Sequence, residues 1–506
     1  MALTRRQFLK RSATLAAGAT VAPAMKWLPG TGVAYAAGPS DAIVVFVQLF
    51  GGNDSLNMVY PTSLGTQRTK YEEYRPTLKL PRNGAELTVW GGSDPQYEID
   101  VSKGVLNIGN DSLGTTYALN PAMKALHDIY DDGELAVVPG VHYPYADYSH
   151  FRSEVIYYTG DPIGSAGFGW MGKYLDLSGY SATEVPAVML GGEYNPLFTP
   201  TGTSLFAFNR LSELRFPSGH DTTNRSAAFK SMYQESAASG GLFPELVNIG
   251  NTGVAAIDTF QQYYLPGQTN IGKVEGLMVD GDGNYDPYND LTYTSPLNYN
   301  NGVFRDTYLT SDLRHVAAVI RSDVGARFFH VGIGGFDTHS NQEDDFYHSR
   351  LLQQVSEAIG AFWAEMKNNV TLPAGYVSGD ISSKVMIVTV SEFGRTNKQN
   401  NDTAQSAGTD HGRSGSQFVV GPASIVNPGI TGPFPTLDDP DLDDDMRMTH
   451  DFRDFYGTIL QKWLNLTPAQ IGPGNSPADP QLFVKTATPD WLGQSYTAYT
   501  ALGFLS

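Results

Sequence analysis

Asp337 and His339 stand two residues apart in Gly335-Phe336-Asp337-Thr338-His339, a spacing that lets two side chains of one extended segment face the same divalent ion. Carboxylate oxygen and neutral imidazole nitrogen are the donors that Zn, Mn and related ions take. Three more segments carry such donors: Gly51-Gly52-Asn53-Asp54, Ser391-Glu392-Phe393-Gly394-Arg395 and Thr409-Asp410-His411-Gly412. Each has an ordinary alternative: Asp54 as a turn or helix cap, Glu392 paired with Arg395, Asp337-Thr338-His339 as a capped turn. The recurrence of the pattern after separate apolar runs argues for one shared site, because capping does not require Glu or His. The metal candidates are therefore Asp54, Asp337, His339, Glu392 and His411. A nucleophile candidate lies at Ser149-His150-Phe151-Arg152, where Ser149 precedes a helical pattern. A metal beside Ser149 lowers its hydroxyl pKa for phosphoryl transfer, Arg152 holds substrate oxygens, and His150 either moves a proton or serves as a ligand. An ordinary N-cap with a surface arginine is the competing reading. Asp280, Asp282, Asn284 and Asp286 form an alternating oxygen-donor run that starts like a calcium loop, but Tyr285 replaces the turn glycine and Leu291 the closing glutamate, so it is not an EF-hand. A solvated acidic loop explains it equally well.

The elements that must position these residues are legible as short apolar runs. Ile43 to Phe50 is apolar on both alternating faces, as in a strand buried on both sides of a parallel sheet. Similar runs recur at Leu135 to Val138, Val185 to Leu190, Phe328 to Ile333, Val385 to Val390 and Phe418 to Val420. Between them the stretch from Glu343 to Met366 sets Phe346, Leu352, Val355, Ile359, Phe362, Trp363 and Met366 at helical spacing. Alternating strands and helices predict a three-layer α/β/α sandwich around a mainly parallel sheet, whose functional loops lie beyond the carboxyl ends of the strands. Asp54, Asp337 and Glu392 all follow predicted strands.

Composition bounds the function. The chain has 506 residues, 33 Lys+Arg against 52 Asp+Glu, a formal charge of -19 and no Cys. Attraction to nucleic acid or an anionic membrane is disfavoured. Disulfides, thiolate metal sites and Cys nucleophiles are excluded. Residues 1–36 read as a Tat export signal: Arg5-Arg6 with Phe8-Leu9 beyond it, an Ala-rich stretch from Ser12 to Met25, and Ala34-Tyr35-Ala36 before the cleavage point. Cleavage removes Arg5, Arg6, Lys10, Arg11 and Lys26 and leaves no membrane anchor, so a periplasmic or secreted protein handled by the Tat export machinery is expected. Residues 37–506 are read as one large domain with an insertion around 265–305, a Tyr/Asn-rich stretch suited to glycan-type contacts.

Taken in order, the export signal, Gly51-Gly52-Asn53-Asp54, Ser149-His150-Phe151 with Tyr158-Thr159-Gly160, Gly335 to His339, Ser391 to Thr396 and Asp410-His411-Gly412 resemble the bacterial family catalogued as domain of unknown function 1501. That family is similar to the alkaline phosphatase and sulfatase superfamily. The resemblance implies an alkaline-phosphatase-like scaffold with Asp54 as the first-strand ligand and Ser149 as the nucleophile at a helix start. It further implies Asp337 and His339 as the later ligand pair, Glu392 as a strand-end carboxylate and His411 as the last imidazole. The chain departs from the superfamily in two ways. Asp337 and His339 are closer together than usual, and Glu392-Phe393 replaces Asp-His, so one imidazole is missing unless His150 supplies it. The usual formylglycine sulfatase route is disfavoured, because there is no Cys and Ser149-His150-Phe151-Arg152 lacks the required proline pattern. The expectation is an exported hydrolase of phosphate or related anionic esters using Zn, Mn or Ca. A secreted, non-catalytic binding or cell-surface protein on a degenerate scaffold is the alternative.

Overall fold

A computed structural model describes residues 41–93, 99–144, 146–162, 168–180, 186–190, 196–199, 205–208, 308–321, 325–369, 377–403, 405–438, 445–474, 481–483 and 496–506. The expected export signal, the insertion around 265–305 and the Asp280, Asp282, Asn284 and Asp286 loop lie outside these residues.

Strand β1 (Ile43–Leu49) shows how the sequence builds the centre. Ile43, Val45, Val47 and Leu49 enter one hydrophobic core, and Val44 and Phe46 enter another on the opposite face. A strand apolar on both sides is stable only between two covering layers. In chain order the other strands of the main sheet are β5 (Leu135–His142), β6 (Ala187–Leu190), β7 (Leu205–Phe208), β8 (Phe328–Ile333), β9 (Val385–Val390), β10 (Gly415–Val420), β11 (Gly429–Ile430) and β12 (His450–Asp451). They run β11-β5-β10-β9-β1-β8-β6-β7, with β12 also on β5. All pairings are parallel except those of β10, which is antiparallel to both β5 and β9. A small antiparallel sheet of β2 (Val59–Pro61), β4 (Thr116–Leu119) and β3 (Leu106–Asn110) packs into the first core. The protein is thus a mixed α/β structure with a mainly parallel central sheet, as expected.

Helices cover both faces. The first core takes side chains from α4 (Lys124–Asp131), α7 (Tyr308–Arg321) and α8 (Tyr347–Lys367). The second takes them from α5 (His150–Thr159), α6 (Trp170–Leu177) and α9 (Phe452–Lys462). The remaining helices are α1 (Ser55–Met58), α2 (Thr66–Tyr74) and α3 (Gly84–Gly91) before β3, and α10 (Pro468–Ile471) after α9. Among the described residues no helix is long and apolar enough to cross a membrane.

The long helix carries the predicted stripe, with Leu352, Val355, Ile359, Phe362, Trp363 and Met366 all buried. It starts at Tyr347 rather than near Glu343. Asp345 and Phe346 take positive φ values of 51° and 56°, which break the helix, and a single 3-10 turn spans Asp344–Phe346. The cause is tertiary. The preceding Gln342 donates from Nε2 to buried Asp54, and the backbone N–H of His348 returns to the Gln342 carbonyl at 2.8 Å. These anchors outweigh the small gain of one more helical turn.

Candidate metal centre

The parallel strands β1, β8, β9 and β5 all end at one edge of the sheet, and antiparallel β10 begins there. The segments carrying Asp54, Asp337/His339, Glu392 and Ser149/His150 therefore leave the sheet where the segment carrying His411 enters it. Close backbone approach makes the convergence tight. Gly51 has φ +116°, and a Cβ there would stand 2.4 Å from the Asp337 nitrogen. A Cβ on Gly408 would stand 2.3 Å from the His339 carbonyl carbon. Only glycine fits at either crossing.

Three imidazoles meet one carboxylate at this edge. His339 Nε2 is 3.0 Å and His411 Nε2 3.2 Å from Asp337 Oδ1, and the two ring nitrogens are 3.0 Å apart. His150 Nε2 is 3.6 Å from Asp337 Oδ2. His150, Asp337 and His411 each offer a ligand atom within 4.8 Å of the others. The far nitrogen of every ring is held by an acceptor. His150 Nδ1 is 2.8 Å from Glu392 Oε1, His339 Nδ1 is 2.6 Å from Asp410 Oδ1, and His411 Nδ1 is 2.7 Å from the Tyr148 carbonyl. A proton on each Nδ1 satisfies these outer contacts and leaves three Nε2 lone pairs aimed at Asp337. This is the arrangement by which outer acceptors orient imidazole ligands. The triangle of His339, His411 and Asp337 donors has edges close to the roughly 3.3 Å expected between ligands on bonds of about 2 Å in a tetrahedral ion. His339, His411 and Asp337 are thus spaced as donors to one divalent ion would be, and His150, Asp337 and His411 form a second such group that shares two of them.

Arg395 stitches the loops beneath the cluster. Fully buried, its guanidinium donates to Asp337 Oδ1 at 2.6 Å and to the carbonyls of Gly52 at 2.7 Å, Thr409 at 2.9 Å, Phe336 at 3.0 Å and Gly51. The side chain thereby joins the turns after β1 and β8 to the segment before β10. The pairing with Glu392 that the sequence suggested is replaced by these contacts.

The electrostatics follow from these partners. Partial burial opposes ionisation of Asp337, but the hydrogen bond and positive charge of Arg395, with the histidines around it, hold its carboxyl down at about 2. The hydrogen bond to Glu392 raises the His150 imidazolium pKa despite partial burial. Burial lowers that of His411, against the Tyr148 carbonyl and Asp337.

The predicted residues divide clearly. Asp337, His339, His411 and His150 come together, with His150 among the donors. Glu392, fully buried, reaches the cluster through His150 and also accepts the Gly51 N–H at 2.7 Å. Asp54 faces elsewhere: its oxygens take Arg75 Nη1 at 2.5 Å and Nη2 at 2.9 Å, and Gln342 Nε2 at 2.5 Å. Burial would raise the Asp54 carboxyl, yet the Arg75 pair holds it below its usual range. Ser149 is exposed at the head of α5 and makes no capping bond to its helix. Arg152 is exposed and pairs with Asp147 at 3.2 Å. Sequence reasoning quoted Asp410 without giving it a role, although it adjoins His411. The Tyr148 carbonyl and Arg75 left no signal, since a backbone acceptor is invisible in sequence and Arg75 lies in no motif.

Fold and site together define an α/β protein with a histidine–carboxylate cluster at the carboxyl edge of its parallel strands. Residues 313–467 match the family profile described as protein of unknown function, DUF1501, which supports the family resemblance. The match contains Asp337, His339, Glu392, Arg395, Asp410 and His411. No curated protein matches the chain.

Proposed function

We propose that the protein is an exported, metal-dependent hydrolase of phosphate or related anionic esters on an alkaline-phosphatase-like scaffold. The observation that carries this reading is the set of three imidazoles with their Nδ1 positions occupied and their Nε2 atoms turned toward Asp337. Three imidazoles and one carboxylate suit Zn or Mn better than Ca, which takes six to eight oxygen ligands. When bound, such an ion supplies Lewis-acid polarisation of an anionic ester at neutral pH. The chain's own residues do the rest. Glu392, Asp410 and the Tyr148 carbonyl keep the rings oriented, and Arg395 holds Asp337 ionised. Ser149, exposed at the head of α5 and next to His150 in sequence, is the nucleophile of this reading. Arg152 is within one helical turn of Ser149 to meet the substrate's oxygens once released from Asp147. The Tat-type leader and the acidic composition support an exported protein that avoids nucleic acid.

One observation favours the alternative of a non-catalytic binding protein. Asp54, the carboxylate a second ion would need, is already engaged by Arg75 and Gln342. A single-ion centre accommodates both readings. The test is elemental analysis of protein purified from an exporting host, with a screen of phosphomonoesters, phosphodiesters and sulfate esters. Metal-dependent turnover lost in His339→Ala is expected for the hydrolase. Turnover surviving in Ser149→Ala would make water the nucleophile, and no hydrolysis with any metal would leave the binding role.

A further inference from the structure

We infer that Gln342, backed by the buried Asp54–Arg75 pair, is the positioning residue that sets the spacing of Asp337, His339 and His411, so that Asp54 serves the metal centre as an anchor and not as a ligand. This rests on the metal-binding part of the proposed function and is independent of hydrolysis.

Gln342 is fully buried, and all four of its polar groups are engaged. Its backbone N–H donates to the Ala407 carbonyl at 3.0 Å, and its carbonyl accepts the His348 N–H at 2.8 Å. Nε2 lies 2.5 Å from Asp54 Oδ2, while Oε1 accepts from Thr338 Oγ1 at 3.1 Å and Thr409 Oγ1 at 2.7 Å. Chemistry fixes the direction of this amide, since an ionised carboxylate only accepts and two hydroxyls are able to donate. Thr338 stands between Asp337 and His339, and Thr409 is two residues before His411. One amide oxygen therefore joins the loop after β8 to the segment before β10, beside the donors that each carries. Thr338 Oγ1 has the Phe336 carbonyl as a second acceptor at 3.4 Å, so the bond from Thr409 is the more dependent on Gln342.

Asp54 is a fixed point because Arg75 holds it. That guanidinium, fully buried, directs all five N–H groups to oxygen: both oxygens of Asp54, Asn57 Oδ1 at 2.9 Å, the Thr396 carbonyl at 2.9 Å and the Asn397 carbonyl at 2.8 Å. Thr396 and Asn397 directly follow Arg395, which bonds Asp337. Segments after β1, β8 and β9 and the one before β10 are thus tied to one buried charge pair. An ion bound by Asp54 would have to displace the guanidinium and leave its buried donors unmet, which is costly.

The probe is Co2+ titrated into the full chain, read as affinity by competition with a chelating dye and as the visible absorption band, which reports ligand geometry. Gln342→Met keeps the side chain's length and bulk and removes the bridge. It is expected to weaken Co2+ binding at least about tenfold and to alter the band. Thr409→Val deletes one hydroxyl, should move both readouts the same way by less, and decides the matter if Gln342→Met does not fold. Val355→Ala, a core change elsewhere on α8, should lower the urea midpoint while leaving band and affinity unchanged. Asp54→Asn should weaken binding, and Asp54→Asn combined with Gln342→Glu, which exchanges donor and acceptor across one contact at constant net charge, should restore most of it. Unchanged affinity and band in Gln342→Met and Thr409→Val, an equal loss in Val355→Ala, or no recovery in a folded double variant would overturn the inference. The last result would make Asp54 a ligand. A parent chain that binds no Co2+ would overturn the metal reading and this inference together. Binding that depends on Gln342, without turnover of any ester, would remove the hydrolase reading and leave this inference standing.

Discussion

Each imidazole of the cluster depends on an acceptor that never touches the shared centre. Asp410 is the most accessible of these, more than half exposed, and its loss leaves no buried cavity. Asp410→Ala frees His339 Nδ1 and permits the ring to turn or change tautomer. Metal affinity should fall about 10–100-fold, measured by competition with a chelating dye, while the urea midpoint stays near that of the parent. An unchanged affinity would mean that the 2.6 Å contact has no orienting role. Glu392 does the same service for His150 from a fully buried position, so its substitution would mix orientation with the cost of a disturbed core.

Among the elements, the decisive event is the crossing of loops at the carboxyl edge of the sheet. The segment before β10 passes so closely over the turn after β8 that the Gly408 α-carbon has no space for a side chain. Thr409 N–H donates to the Thr338 carbonyl at 3.0 Å, and Gln342 Oε1 accepts from both Thr338 Oγ1 at 3.1 Å and Thr409 Oγ1 at 2.7 Å. Gly408→Ala must push His339 and His411 apart. It should destabilise the protein by about 2 kcal/mol or more and weaken metal binding in parallel, seen as a lowered urea midpoint and a reduced metal content. Gly334→Ala, where a Cβ meets nothing within 4 Å, should leave both nearly unchanged.

The whole molecule carries a pH dependence set by buried groups on the second core and its margins. Burial lowers His142 to about 3 and His330 to about 4, so in the folded protein both are neutral where the unfolded chain's imidazoles take up protons. Their contribution is complete above about pH 6.5 and is lost as pH falls toward the folded values. Asp454 acts in the opposite sense. Burial pushes it up to about 7, against the Thr500 N–H it accepts, so it holds a proton that the unfolded chain releases above about 3.8 and loses its stabilising effect as pH rises through 7. Each fully titrating group tilts stability by about 1.4 kcal/mol per pH unit. Between pH 4 and 6.5 the two histidines outweigh the aspartate, and stability of metal-free protein should rise with pH. Asp454→Asn removes the opposing group and should make that rise steeper, as followed by urea midpoints across the range. A flatter profile would contradict the assignment.

Strand Ile43–Leu49, strands Phe328–Ile333 and Val385–Val390, and the stripe on Tyr347–Lys367 were readable from residue pattern, because burial on two faces or one helical stripe demands a local periodicity. The same reading singled out Asp337, His339 and His411, which the structure brings together, since carboxylate and imidazole donors in loops next to strands stand out from ordinary turn chemistry. Tertiary structure alone decided that His150 joins them, that Glu392 and Asp410 stand behind the rings, and that Asp54 turns to Arg75. Residue type sets what a side chain is able to bind. Which partner it meets depends on loops hundreds of residues apart crossing within van der Waals reach, and no local pattern encodes that crossing.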